Sequence, residues 1–299
     1  LIIRLEVDYD ALMRLSRIVS RISREDLRFN SQELPGSMTR EEATMFYTIL
    51  YSIDYGLGLG EKKRLASALW SILEGRGFNH DFLLGLDGNG LNTLLREYGV
   101  RMPRPELRAM LLRDLSRKVE KLYNGSYYAV VVESHGQLRY KNGGFLDRLQ
   151  DFYAYRSPAY SKAYRLAIQL YRVGALPAHD LWNAGVSVDS VLVGLAVRYG
   201  LVRVSDGLLE RIALGTPLDP ETDRVLREYV FMVYRLVAQE AGVDPFTLDG
   251  LLRIIYDRYC DYRSGQHGEL AGEDIGCMGF REPRLWVRDP LPPQDSWWD

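Results

Sequence analysis

The segment GVSVDSVLVGLAVRYG, residues 185–200, puts one acid, Asp189, ahead of a run of Val, Leu, Ala and Gly, with Arg198 as its only other charge. A carboxylate there has two uses. It can cap the helix by accepting backbone N–H groups. It can also do chemistry, because in water-poor surroundings it stabilises a cationic transition state or takes a proton from water. Ser187 offers an alternative cap, which would leave Asp189 in the first turn. Lys162 opens SKAYRLAIQLY at the end of the helix dipole that disfavours a cation, so it is either solvated or answers to an anion elsewhere. Asp54 and Tyr55 close MTREEATMFYTILYSIDYG, where an acid again opposes the dipole. Arg284 lies in FREPRLW, an aromatic and basic stretch that suits either an anion or a docked terminus.

Other chemistries lack their residues. There is no G-x-x-x-x-G-K-[ST] phosphate loop, no G-x-S-x-G elbow and no H-E-x-x-H. GLGLG at 56–60 follows a helical pattern rather than a strand, so it reads as a turn between helices. The two cysteines, Cys260 and Cys277, form no C-x-x-C, and the four histidines are scattered. No metal and no cofactor is expected.

The elements that must position these side chains are helical. ALMRLSRIVSRI repeats apolar residues at three- and four-residue steps. Thr39 with Glu42 forms a capping box ahead of the helix that ends at Asp54. RPELRAMLLRDLSRKVEKLYNG has Pro105 in its first turn and stops at Asn124-Gly125. DGLLERIALG, DPETDRVLREYVFMVYRLVAQEAG and TLDGLLRIIYDRYCDY supply three more helices. SYYAVVV is the best strand candidate, and RDPLPPQDSWWD reads as an extended Pro-rich tail. The class is therefore mainly α, a compact multi-helix fold with at most a small β element.

With 299 residues, 46% of them hydrophobic, the chain can bury a sizeable core. The formal charge of −2 gives no global attraction to nucleic acid or anionic membrane, so direct nucleic-acid binding is not expected. No apolar run approaches the ~20 residues that span a bilayer. The start, LIIRLEVDYD, does not read as a signal peptide, and a cytoplasmic protein is expected. The 20 tyrosines and five tryptophans are core by default, and those at helix ends also suit stacking on a planar base.

From about residue 40 to 285 the order of segments resembles the queuosine-salvage family of queuosine 5′-phosphate N-glycosylases. VRMPRPELRAMLLRDLSRKVEKLYNGSY resembles its Met-Pro-Leu segment with the following helix and turn, and AYSKAYRLAIQLY its lysine helix, with Lys162 on the family lysine. VSVDSVLVGLAVRYGLVRVSDGLLERIALG resembles the segment of the catalytic aspartate, which falls on Asp189. IDYG puts Asp54 and Tyr55 at base-pocket positions. IIYDRY, with Tyr256 and Asp257, resembles a Leu-Trp segment that lines the substrate, and FREPRLW with Arg284 the basic C-terminal motif. Several positions depart from the pattern. Asp54 stands for an asparagine, GLGLG for an aromatic stretch, Tyr164-Arg165 for Ala-Gln, and Val188 and Ser190-Val191 for the usual neighbours of the aspartate.

The resemblance implies a fold similar to helical, helix-hairpin-helix-type DNA glycosylases. It implies one domain over 1–285, or two packed lobes of about 1–135 and 136–285, followed by the tail at 286–299. It also implies hydrolysis of a 7-deazaguanine ribonucleoside 5′-monophosphate to release the free base. In that reading Asp189 and Lys162 are catalytic, and Asp54, Tyr55, Tyr256, Asp257 and Arg284 bind a modified nucleotide or free base. Two rivals stay open. A helix-hairpin-helix DNA glycosylase is suggested by LWNAGVSVDSVLVGLAV, with Gly185 in the turn and Ser187 where a second Gly is expected. A non-enzymatic nucleobase-binding protein is suggested by the missing aromatic stretch at GLGLG.

Overall fold

The computed structural model describes residues 4–25, 38–76, 79–257, 269–270, 273–274 and 289. In chain order its elements begin with β1 (Leu5–Val7), α1 (Tyr9–Glu25), α2 (Arg40–Ile53) and α3 (Leu59–Arg76). There follow α4 (His80–Gly85), α5 (Gly88–Arg96), α6 (Pro105–Tyr123), α7 (Ala129–Val132), α8 (Phe145–Leu149) and α9 (Ser161–Arg172). The remainder is α10 (Ser190–Arg198), β2 (Val202–Val204), α11 (Asp206–Ala213), α12 (Pro220–Ala241), α13 (Pro245–Ile255), β3 (Glu269–Leu270) and β4 (Glu273–Asp274). The fold is mainly α, as the apolar spacing requires. The chain divides into two compact units, Leu1–Phe29 with Leu181–Ser296, and Asn30–Asp180 with Trp297–Asp299.

In the first unit α12 is the longest helix. Asp219 starts it by accepting the Thr222 N–H at 3.0 Å, Pro220 fills the first turn, and Gly242 ends it at φ +67°. α1 packs along α12, and α10 and α13 close the core with Leu12, Leu15, Leu192, Val230, Val237 and Leu251. Each such side chain contributes about 1.5–3 kcal/mol relative to exposure. β1 pairs antiparallel with β2, Leu5 opposite Val204 and Val7 opposite Val202.

In the second unit α2 is buried on every side from Ala43 to Ile53, with Tyr51 alone partly exposed, and its one hydroxyl face can be buried because Thr44 and Ser52 donate to the Arg40 and Ile49 carbonyls of their own helix. α3, α6 and α9 pack against it. The capping box forms as the residue types predict: Thr39 Oγ1 accepts the Glu42 N–H and the Glu42 carboxylate accepts the Thr39 N–H. Pro105 opens α6, and Asn124 closes it in the left-handed region at φ +49°.

SYYAVVV is not a strand. Residues 129–132 form α7, because the Glu41 carboxylate accepts the Tyr127 and Tyr128 N–H groups at 2.7 and 3.0 Å and the Ser126 hydroxyl at 2.7 Å. That distant carboxylate caps a helical turn, while Tyr127, Val130 and Val131 bury at helical spacing. Tertiary capping outweighs a β-propensity worth about 1 kcal/mol at most.

Candidate functional site

The Asp189 region is built by a turn and two helices of the first unit. Residues 181–183 form a single 3-10 turn, residues 184–189 run on from it, and α10 starts at Ser190. Within the connection Val188 N–H donates to Val186 O and Asp189 N–H to Ser187 O. A Cβ added at Gly185 would overlap the Phe231 ring of α12, so any larger residue there requires that ring to move. Gly185→Ala is expected to lower stability by about 1–3 kcal/mol through overpacking, read as a shift of the urea midpoint. An unchanged midpoint would show that Phe231 swings away without cost.

Asp189 is the cap of α10, its Oδ1 accepting the Leu192 N–H at 3.1 Å. Its Oδ2 accepts from Arg253 Nη1 at 3.0 Å. Arg253 also donates through Nε to Asp249 at 3.0 Å, and through Nη2 to the Ser187 hydroxyl and carbonyl at 2.7 and 3.1 Å. The Ser187 N–H and hydroxyl both donate to Asp249 Oδ1, at 2.8 and 2.7 Å. Ser187 is therefore not the cap. It stands where a second Gly was expected because its hydroxyl joins a buried network that a Gly cannot enter. Arg227 of α12, held by Asp223 at 3.0 Å, donates to the Val188 carbonyl at 3.2 Å. Desolvation pulls the Arg253 guanidinium down, but the Asp189 and Asp249 carboxylates together outweigh it and raise the group above its ordinary value. Arg253 thus stays cationic and holds a fixed, partly exposed Asp189 carboxylate.

Tyr256 follows on the same helix, and its hydroxyl donates to Asp289 Oδ2 at 2.8 Å. Asp257 is exposed. Arg284 lies outside the described residues.

The second unit brings together Asp54, Tyr55 and Lys162, all buried. Lys162 is not the solvated surface lysine that its position at a helix start allows. α9 packs on α2, and Lys162 Nζ donates to the Ser52 carbonyl at 3.1 Å and lies 5.1 Å from the centre of the Tyr55 ring. Arg108 of α6 sits over the same ring at 3.9 Å. Its Nε donates to Ile53 O at 2.8 Å, and Nη2 also reaches Tyr55 O. Asp54 Oδ2 pairs with Arg165 at 3.0 Å, whereas Asp54 Oδ1 has no hydrogen-bond partner among the described residues. Burial pushes the Lys162 ammonium down to about 7. Asp54 opposes that shift, and the cations Arg165, Arg108 and Lys62 add to it. An amine of that kind is available near neutral pH both to donate and to accept a proton.

Asp249, Arg253 and Arg108 escaped the sequence reading, and Arg165 entered it only as a departure from the resemblance. Asp249 and Arg253, four residues apart in TLDGLLRIIYD, carry a one-turn signal. Arg108 shows none, since it looks like any helix-surface arginine until it is buried. Among the described residues no three His, Cys, Asp or Glu side chains are grouped to hold a metal ion. No described helix is long and apolar enough to cross a membrane.

No family model matches this chain, and no curated protein does. Among solved structures it is similar to the 8-oxoguanine DNA glycosylase of Thermotoga maritima. That similarity has 17% identity over 85% of this chain and 98% of the other, with a TM-score of 0.47. The resemblance to the queuosine-salvage family is thereby corrected: no family model supports it, and the similar structure is that of a DNA glycosylase. The described segments that carried it are mostly helices and the turns that end them, which helical proteins share for reasons of local physics. The expectation that nucleic acid is not a direct partner is corrected with it, since a net charge averaged over the chain says nothing about the charge at one site.

Proposed function

We propose that this chain hydrolyses the N-glycosidic bond of a nucleobase in nucleic acid, as a helix-hairpin-helix-type DNA glycosylase. The observation that supports the reading is the Asp189 carboxylate, fixed at the head of α10 by the Leu192 N–H and Arg253. As the C1′–N bond breaks, its electron pair leaves with the base and positive charge grows on the sugar. Asp189 then stabilises the sugar cation and takes the proton of the attacking water, whose oxygen bonds to C1′. The departing base receives a proton in exchange.

The test is base release. Duplex oligonucleotides carrying single oxidised, deaminated or alkylated bases are incubated with the protein and treated with alkali, which cuts at abasic sites. Strand cleavage that grows with time, and binding that weakens steeply with salt, are expected. Folded protein that releases none of these bases would overturn the reading.

A second reading, a nucleobase-binding protein without turnover, is favoured by the buried Asp54 Oδ1, which has no hydrogen-bond partner among the described residues. A buried polar atom without a partner costs about 1–3 kcal/mol, a cost that a donor on a ligand would remove. Saturable binding of a free base with no release from any substrate separates the two readings.

A further inference from the structure

The solvent side of α6 carries its charges in an order that does not serve the helix. Arg113, Arg117 and Lys121 follow one another at four-residue steps, so they stand on one side of the helix with a rise of about 6 Å between neighbours. Like charges at that spacing repel and weaken a helix. The helix dipole accounts for Lys121 alone, because its effect fades beyond the last turn. None of the three makes an ion pair or a side-chain hydrogen bond with another described residue. The acids nearest to them are turned to other uses. Asp114 pairs with Lys118 at 2.7 Å and accepts the Tyr153 N–H at 2.8 Å. Glu120 faces the turn that ends the helix, its Oε2 3.0 Å from where a Cβ at Gly125 would stand. The exposed face of α12 shows the ordinary arrangement of a solvated helix, with Arg224 held between Glu221 and Glu228 at 2.6 and 2.9 Å.

We propose that this face of α6 is a docking surface on the second unit for the phosphate backbone of a nucleic acid. Charge complementarity carries the choice of a polyanion. Between Arg96 and Lys121 the chain has eight Lys and Arg against four Asp and Glu, whereas its total charge is −2. The remainder is therefore acidic, and a polyanion is drawn to this stretch rather than to the molecule as a whole. Two of the three stripe residues are arginines, whose planar fork matches phosphate. Met110, 39% exposed, continues the same face one turn earlier and offers an apolar contact between charges. An anionic membrane fits less well. Leu111, Leu112, Leu115 and Val119 are all spent on the core, which leaves α6 no apolar face to lay into lipid. The choice of nucleic acid rests on the glycosylase reading, whereas the surface for an anionic partner does not.

The experiment combines Arg113→Gln, Arg117→Gln and Lys121→Gln in the full chain. Gln forms helices about as well as Arg and Lys, so the fold is kept, which circular dichroism checks. A charge-matched control combines Arg4→Gln, Arg224→Gln and Arg235→Gln, all exposed on the first unit. Binding of an undamaged, fluorescently labelled duplex is followed by anisotropy from about 50 to 200 mM KCl. Each phosphate contact adds about 0.9 to the slope of log K against log salt, so the α6 variant is expected to lose about 2 to 3 from that slope and at least about tenfold in affinity near 100 mM. The control is expected to stay close to wild type. An unchanged slope and affinity in the α6 variant overturns the proposal, and so does an equal loss in the control, which would assign the effect to net charge. Tighter binding to phosphatidylserine vesicles than to the duplex overturns nucleic acid as the occupant. Duplex binding that depends on α6 without any base release leaves this surface standing and removes the glycosylase reading, and base release with α6-independent binding does the reverse.

Discussion

Asp189→Asn is expected to lower base release by about a thousandfold or more, the size that follows removal of a group aimed at transition-state charge. The fold should hardly change. Asn caps helices as well as Asp does, so the bond from the Leu192 N–H survives. Arg253 keeps Asp249 at 3.0 Å and the Ser187 carbonyl and hydroxyl. The lost charge in the pair should cost about 1–3 kcal/mol, in line with other charged hydrogen bonds. The comparison separates the two uses of the carboxylate. If Asp189 only caps α10 and ties it to α13, the Asn variant keeps its rate within a few-fold and shows only the small stability loss. Single-turnover rates on any released base, with denaturant midpoints measured beside them, decide between the two.

Lys162→Met should change how stability depends on pH more than any other single substitution in the second unit. The lysine sits near 7 in the folded protein and near 10.4 in an unfolded chain. Between these values the unfolded chain holds a proton that the folded protein has released. Stability therefore rises as pH increases from about 7 to 10.5, and below 7 the penalty is complete. At about 1.4 kcal/mol per unit the whole span amounts to at most about 5 kcal/mol. The Met variant lacks this dependence. Its stability relative to wild type should be greatest near pH 6 and should shrink steadily toward pH 10.5. Urea midpoints collected across that range for both proteins supply the difference. Parallel curves would mean that Lys162 keeps an ordinary pKa and is not desolvated by α2, α6 and α9.

Much of the helical framework was legible because helix ends are written locally. Thr39 with Glu42 and Asp219 with Thr222 start their helices through bonds that reach three residues, Gly242 ends one through bonds of three and four, and α6 runs from Pro105 to Asn124, whose N–H reaches back five residues to Val119. The failure at 126–132 has the same logic in reverse. The residues that make α7 helical are capped by Glu41, more than 80 residues away, and no window on SYYAVVV contains it. The resemblance to a salvage family failed for a related reason, since helical segments of similar pattern and order are a property of local physics that different helical chains can share.

The sequence by itself determined that this is a mainly helical protein, where most of its helices start and stop, and that Asp189 stands at the head of an apolar one. Tertiary structure decided what that position means. It set Arg253 on Asp189 across 64 residues, drove the Lys162 ammonium out of water beside Asp54 and Tyr55, and laid Asp289 on the buried Arg198. Capping depends on neighbours along the chain. Charge, desolvation and pairing depend on whichever groups packing brings within a few ångströms, and that distance is not a property of spacing in the chain.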